Sequence, residues 1–148
     1  MEILKPECIF KNIVMTAARL EAFANKHFLE VLGLTLTSLK ILDILSRERS
    51  VTPTRLMKEL ACTKSNITQR LNLMEKNGLV QRISLNHVRD KRKVLLGITV
   101  LGTQKLVEAV SVIREKGIEF ENILGTSGTS ECHLYLNKIN DLLDHYEN

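Results

Sequence analysis

Five consecutive charged residues, Arg89, Asp90, Lys91, Arg92 and Lys93, stand directly before an apolar alternation of Val94, Leu96 and Ile98. Cations grouped this tightly suit a polyanion, and apolar residues at every second position suit a half-buried strand. A disordered basic tail needs no strand behind it, and a solvated helix face does not follow a period of two. The pattern predicts a hairpin with a charged tip. A second group of polar side chains lies upstream, in "TKSNITQR". There Lys64, Ser65, Asn66, Thr68, Gln69 and Arg70 are short or forked groups of the kinds that read base edges.

These groups need elements to position them. Thr63 caps a helix over "KSNITQRLNLMEKNG", whose buried stripe is Ile67, Leu71 and Met74 and whose stop is Gly78. The six polar residues fall off that stripe, near the helix N-terminus, the end that usually enters a major groove. Before it, "VTPTRLMKELA" predicts a helix with Thr52 as N-cap and Pro53 at the first helical position, where its missing N–H costs nothing. Leu56 and Leu60 face the core. The three residues "ACT" join the two, making a helix-turn-helix. Segments 79–84 and 94–98 read as paired strands around the basic tip. A hairpin directly after a helix-turn-helix is a wing: strands hold the tip rigidly, and a rigid tip loses less entropy on binding.

The outer segments are helical. Ile9, Ile13, Ala17, Leu20, Ala24 and Phe28 recur at helical spacing until Gly33. Thr35 or Thr37 caps a second helix with Leu39, Leu42 and Leu45 inward. Thr99 caps a long helix carrying Leu106, Val110, Ile113 and Phe120. "GTSGTS" at 125–130 reads as a loop that caps a last helix with Leu134, Ile139, Leu142 and Leu143. The outer segments combine apolar stripes with little basic charge, which suits them to dimerise. Their order gives a mainly α fold with a small β-hairpin wing, divided into an N-terminal dimerisation helix at 1–34, a winged helix-turn-helix at 35–99 and C-terminal dimerisation helices at 100–148.

Charge distribution agrees with this division. Residues 1–45 carry five basic and five acidic side chains, residues 46–105 thirteen and four, and residues 106–148 three and eight. A modest total of +4 therefore hides a strongly basic middle third, as a polyanion-binding segment requires. A chain of 148 residues buries about 70% of its unfolded surface and needs no metal or disulfide to fold. Three cysteines, Cys8, Cys62 and Cys132, form an odd set without metal-site spacing, so a disulfide framework is not expected. No apolar run approaches a membrane span, and "MEILKPECIF" lacks the pattern of a signal peptide, so the expectation is a cytoplasmic protein without a membrane partner. Nothing resembles a nucleophile elbow, a dinucleotide fingerprint or a phosphate loop; neither an enzyme nor a cofactor is expected.

The wing and its exit resemble the MarR family of winged-helix regulators. The family pattern is Asp-x-Arg, five residues, then Leu-Thr-x-x-Gly. "DKRKVLLGITVLG" supplies Asp90, Arg92, Ile98, Thr99 and Gly102, with isoleucine in the leucine place. Met74 and Glu75, then Gly78, Leu79 and Val80, match the closure of the family's helix-turn-helix, and Arg82 matches the arginine that follows. The resemblance implies a transcriptional regulator, a repressor in the main, that binds a pseudo-palindromic operator in double-stranded DNA as a homodimer. It also implies release by a small aromatic or lipophilic effector. Arg92 then reaches toward a minor groove and Asp90 braces it; with no second carboxylate or histidine at a useful spacing, Asp90 is not a catalytic acid. Arg89, Lys91 and Arg82 join the DNA-binding set. Gln69 stands where an arginine is common, and Ala61 replaces a frequent turn glycine, which asks the backbone there to keep a negative φ.

Two further readings concern sensing. A peroxide-sensing branch of the family places a reactive cysteine near the start of the first helix, where Cys8 lies, and a helix N-terminus lowers a thiol pKa. That branch also uses nearby tyrosines, whereas Tyr135 and Tyr146 both lie in the last helix. Cys132, His133, His27 and His145 raise a metal site, as in zinc-responsive relatives. Adjacent helical residues point about 100° apart, so Cys132 and His133 do not share one metal easily. A small thiol or metal enzyme is the remote alternative.

Overall fold

The computed structural model describes residues 8–83 and 94–147. The chain divides into two compact units, Met1–Val110 and Ser111–Asn148. The first holds every buried apolar side chain among the described residues.

Helix α1 (Ile9–Ala24) continues through a π-helical turn at Asn25–Leu29 and a 3-10 turn at Glu30–Leu32. The expected helix is therefore present, but its pitch changes at the end. Asn25 explains part of the change: its Oδ1 accepts from the Leu36 amide at 2.6 Å, satisfying a free N–H at the start of the next helix. Helix α2 (Leu36–Arg47) is capped by Thr35, which accepts from Ser38 N, and it buries Leu39, Ile41, Leu42, Ile44 and Leu45. Helix α3 (Pro53–Glu59) starts on the Thr52 cap with Pro53 in the first turn; Leu56 is buried and Leu60 half-buried. Helix α4 (Lys64–Lys76) starts on the Thr63 cap and buries Ile67, Leu71 and Met74.

Strands β1 (Val80–Ile83) and β2 (Leu95–Ile98) pair antiparallel, with Arg82 opposite Leu96. Val51 adds a bridge that sequence reading did not find: its N–H donates to Leu96 O at 3.0 Å, and Leu96 N donates back at 2.9 Å. A β-branched residue directly before the Thr52 cap was the available signal. Leu96, 2% exposed, thus anchors the hairpin to the core from two sides.

Three turns end alike. After Leu32, Glu59 and Lys76 the chain enters the left-handed region at Gly33 (φ 69°), Ala61 (φ 47°) and Gly78 (φ 70°). At Ala61 the paired bonds are Ala61 N to Lys58 O and Cys62 N to Met57 O, which close the last carbonyls of α3. The expected negative φ at Ala61 is corrected here. The tight helix-turn-helix needs a left-handed residue, and the closing bonds offset the crowding of its Cβ.

Helix α5 (Val100–Glu147) corrects a second expectation. "GTSGTS" is not a loop: within 125–130 only Gly125 (φ 70°, ψ 172°) departs from helical geometry. Thr129 Oγ1 donates across the break to Glu121 O at 3.4 Å. In the second unit Lys116 donates to Glu119 at 2.6 Å, and this bond, opposed by desolvation, raises the lysine pKa.

Candidate nucleic-acid interface

Helix α4 is held by one face and offers the other. With Ile67 and Met74 almost fully buried and Leu71 beside them, Lys64, Ser65, Asn66, Thr68, Gln69 and Arg70 are all exposed. No acidic residue lies in the first turn. Its free N–H groups and the Lys64 ammonium therefore add up to a positive end, suited to an anionic backbone. Lys64, Ser65, Thr68, Gln69 and Asn72 line an open concavity along this face. Four of the six helix residues singled out from the sequence line it, while Asn66 and Arg70 are exposed on α4 outside it. Asn72 was missed, although its three-residue spacing from Gln69 puts it on the same face.

The hairpin lies beside α4. A cleft of about 320 Å³ runs between them, with Met57, Ile67, Leu71 and Leu96 as apolar floor and Lys64, Thr68 and Arg82 as polar rim. Arg82 is not free. Its Nε donates to Glu75 Oε2 at 3.0 Å and its Nη2 donates to Asn72 Oδ1 at 3.1 Å. Glu75 was read from the sequence only as part of the closing motif. Arg89, Asp90, Lys91 and Arg92 lie outside the described residues.

Thr99 and Gly102 join this head to α5. Thr99 Oγ1 donates to Gly78 O at 2.6 Å, lies 3.1 Å from Leu79 O and accepts from Gly102 N at 2.9 Å. One hydroxyl thus caps α5 and ties it to the end of α4. A Cβ on Gly102 would stand 2.1 Å from Leu79 O, so only glycine allows this approach.

Cys8 is the N-cap residue of α1 and half-buried; Cys62 is half-buried in the turn; Cys132 is exposed. Among the described residues no three His, Cys, Asp or Glu side chains gather into a metal-binding group. Also among them, no helix is long and apolar enough to cross a membrane.

Residues 34–94, which hold the cap of α2, the helix-turn-helix, β1 and the charged segment, match the model of the MarR family. Over those residues the chain is similar to the MarR family. HTH-type transcriptional repressor YetL of Bacillus subtilis (strain 168) is 32% identical over 83 residues, 55% of this chain and 48% of that protein. The chain thus spans about half the length of this relative. Among solved structures, the transcriptional regulator BldR from Sulfolobus solfataricus superposes with a TM-score of 0.69 at 27% identity, over 93% of this chain and 99% of that one. A mutant MarR from E. coli complexed with operator DNA superposes at 0.73 and 22% identity, over 88% and 91%. Both likenesses extend beyond residues 34–94, and they concern the winged-helix fold.

Proposed function

We propose that this MarR-type chain is a sequence-specific DNA-binding transcriptional regulator, a repressor, that acts as a homodimer on a pseudo-palindromic operator. One observation carries the reading. The exposed face of α4 presents Lys64, Ser65, Asn66, Thr68, Gln69 and Arg70 without an acidic residue in its first turn, beside a hairpin that leads into Arg89, Lys91 and Arg92. Such a helix suits base edges in a major groove, and such a hairpin suits the neighbouring phosphates or minor groove, with Asp90 bracing Arg92. The relative named as a repressor and the neighbour complexed with operator DNA support the assignment.

The homodimer is supported by the apolar residues left exposed on the outer helices: Ile9, Phe10 and Val14 on α1, and Leu134, Leu142 and Leu143 on α5. Division of labour follows, with 1–34 and 100–148 for assembly and 35–99 for DNA. In a C2 dimer the two recognition helices stand about 34 Å apart, one DNA turn, or a multiple of it. A small aromatic or lipophilic effector releases the DNA, and the protein works in the cytoplasm without enzymatic activity.

The test is titration of the purified chain with the DNA flanking its own gene and with random duplex, across several salt concentrations. A preference of a thousandfold or more for one flanking segment, on the order of specific over non-specific binding, is the expected result. Equal affinity for both DNAs at every salt concentration overturns the reading.

A further inference from the structure

Arg82, the basic residue of strand β1, is already engaged by helix α4. Asn72 and Glu75 are three residues apart on α4 and share a face. The Arg82 guanidinium bonds both, at 3.1 and 3.0 Å. Guanidinium donors lie in a rigid planar fork, so two acceptors on one helix fix its orientation as well as its position. The Glu75 carboxylate also offsets the charge that a phosphate contact would need.

Geometry gives this bond leverage. Arg82 shares the strand face of buried Val80, and its backbone pairs opposite Leu96. Between α4 and β1 lie only Asn77, Gly78 and Leu79, with Gly78 in a left-handed turn. Backbone bonds close that turn at one end of the hairpin. The Arg82 side chain ties a second point, further along β1, to the same helix. The pair is half-exposed, 49% on the arginine and 39% on the glutamate, and exposed pairs contribute little to global stability. Its use is therefore orientation.

We propose that Arg82 is a positioning residue, which locks the wing hairpin to α4 through Glu75 and Asn72 and so sets the angle between the two DNA-reading elements, and that it is not a phosphate contact. This rests on the DNA-binding reading above, and it removes Arg82 from the contact set while adding Asn72 and Glu75 to the reading head. The two roles predict opposite signs. If Arg82 met a phosphate, Glu75→Gln would free it and strengthen binding, Arg82→Lys would keep most of the affinity, and Arg82→Gln would lower the salt slope by about one per protomer. As a positioning residue, Arg82 cannot be replaced by a lysine, whose single ammonium does not reproduce the fork.

The experiment uses the full chain and the duplex that it recovers from a random-sequence pool, with an unselected duplex as control. Glu75→Gln, Arg82→Gln and Arg82→Lys should each weaken the selected duplex about five- to tenfold. Arg82→Gln should leave the salt slope unchanged, and Glu75→Gln combined with Arg82→Gln should lose no more than either alone. Thermal unfolding run alongside should show melting temperatures close to the parent. Stronger binding by Glu75→Gln, wild-type binding by Arg82→Lys, a reduced slope for Arg82→Gln, additive losses, or affinity losses matched by equal losses on the unselected duplex each overturn the proposal. A parent chain that recovers no duplex overturns the DNA-binding reading itself, and the positioning role with it. A parent that selects DNA while the variants fail these expectations overturns only the role of Arg82.

Discussion

Helices α2 and α1 have similar amounts of apolar side chain and opposite fates. α2 buries five residues, among them Ile41, Leu42 and Leu45 with no exposed surface. α1 buries none: Ile9 is 72% and Phe10 69% exposed. The Ser111–Asn148 unit resembles α1, with Ile123, Leu134, Tyr135, Leu142 and Leu143 all exposed. The winged-helix portion is complete within one chain, because its helices and hairpin cover one another. The outer helices are not, and an apolar surface of this extent in water calls for a partner. The contrast separates the part that folds on itself from the part that the proposed homodimer would cover.

The largest effect should come from breaking the outer faces. Replacing Leu142 and Leu143 together by glutamate should convert a dimer into a monomer at micromolar concentration, read by sedimentation. Operator affinity should fall about a hundredfold or more, as linked half-sites lose their avidity. A parent chain that already sediments as a monomer would show that the exposed faces belong to some other partner.

Next is the joint where the inner region meets α5. Gly102→Ala forces a methyl against Leu79 O, and the backbone there must shift. The expected loss is about 3 kcal/mol, measured by denaturant unfolding. A loss under 1 kcal/mol would mean that α5 is not held tightly to the reading head.

Within the inner region, Gln69→Ala should cost about 1–3 kcal/mol per half-site on the operator and almost nothing on random DNA, with the salt slope unchanged. Arg92→Ala should weaken both DNAs together and lower the slope by about one per protomer. Equal losses on both DNAs for Gln69→Ala would move base reading to Asn66 and Arg70.

The smallest effect is a gain. Ala61→Gly relieves a left-handed alanine at the end of α3 and should stabilise the chain by about 0.5–1 kcal/mol in thermal unfolding, without altering DNA affinity. Destabilisation would mean that the added freedom of glycine in the unfolded chain outweighs the relief.

Most of the local structure was legible. Thr35, Thr52, Thr63 and Thr99 all cap the helices assigned to them, because a cap is a bond between a hydroxyl and an amide three residues away. The buried stripe of α4 and the strand pairing were legible for the same reason: periodicity alone decides which residues share a face. "GTSGTS" misled because composition reports what a loop tolerates, whereas one glycine suffices to interrupt a helix. Ala61 misled because side-chain preference yields to two closing backbone bonds.

What the amino-acid order determined by itself was the set of elements, their caps, the basic middle third and the exposed polar face of α4. The charge is composition, and the helices, caps and exposed face rest on spacings of three or four residues. Tertiary structure alone decided that Val51 bridges Leu96, that Arg82 is held by Asn72 and Glu75, and that Gly102 meets Leu79 O. These bring together residues from 7 to 45 positions apart. No local pattern encodes such pairs, because each exists only once the packed core has set two elements side by side. Apolar periodicity likewise names a face on α1 but not the surface that covers it: burial is a property of the partner as much as of the helix.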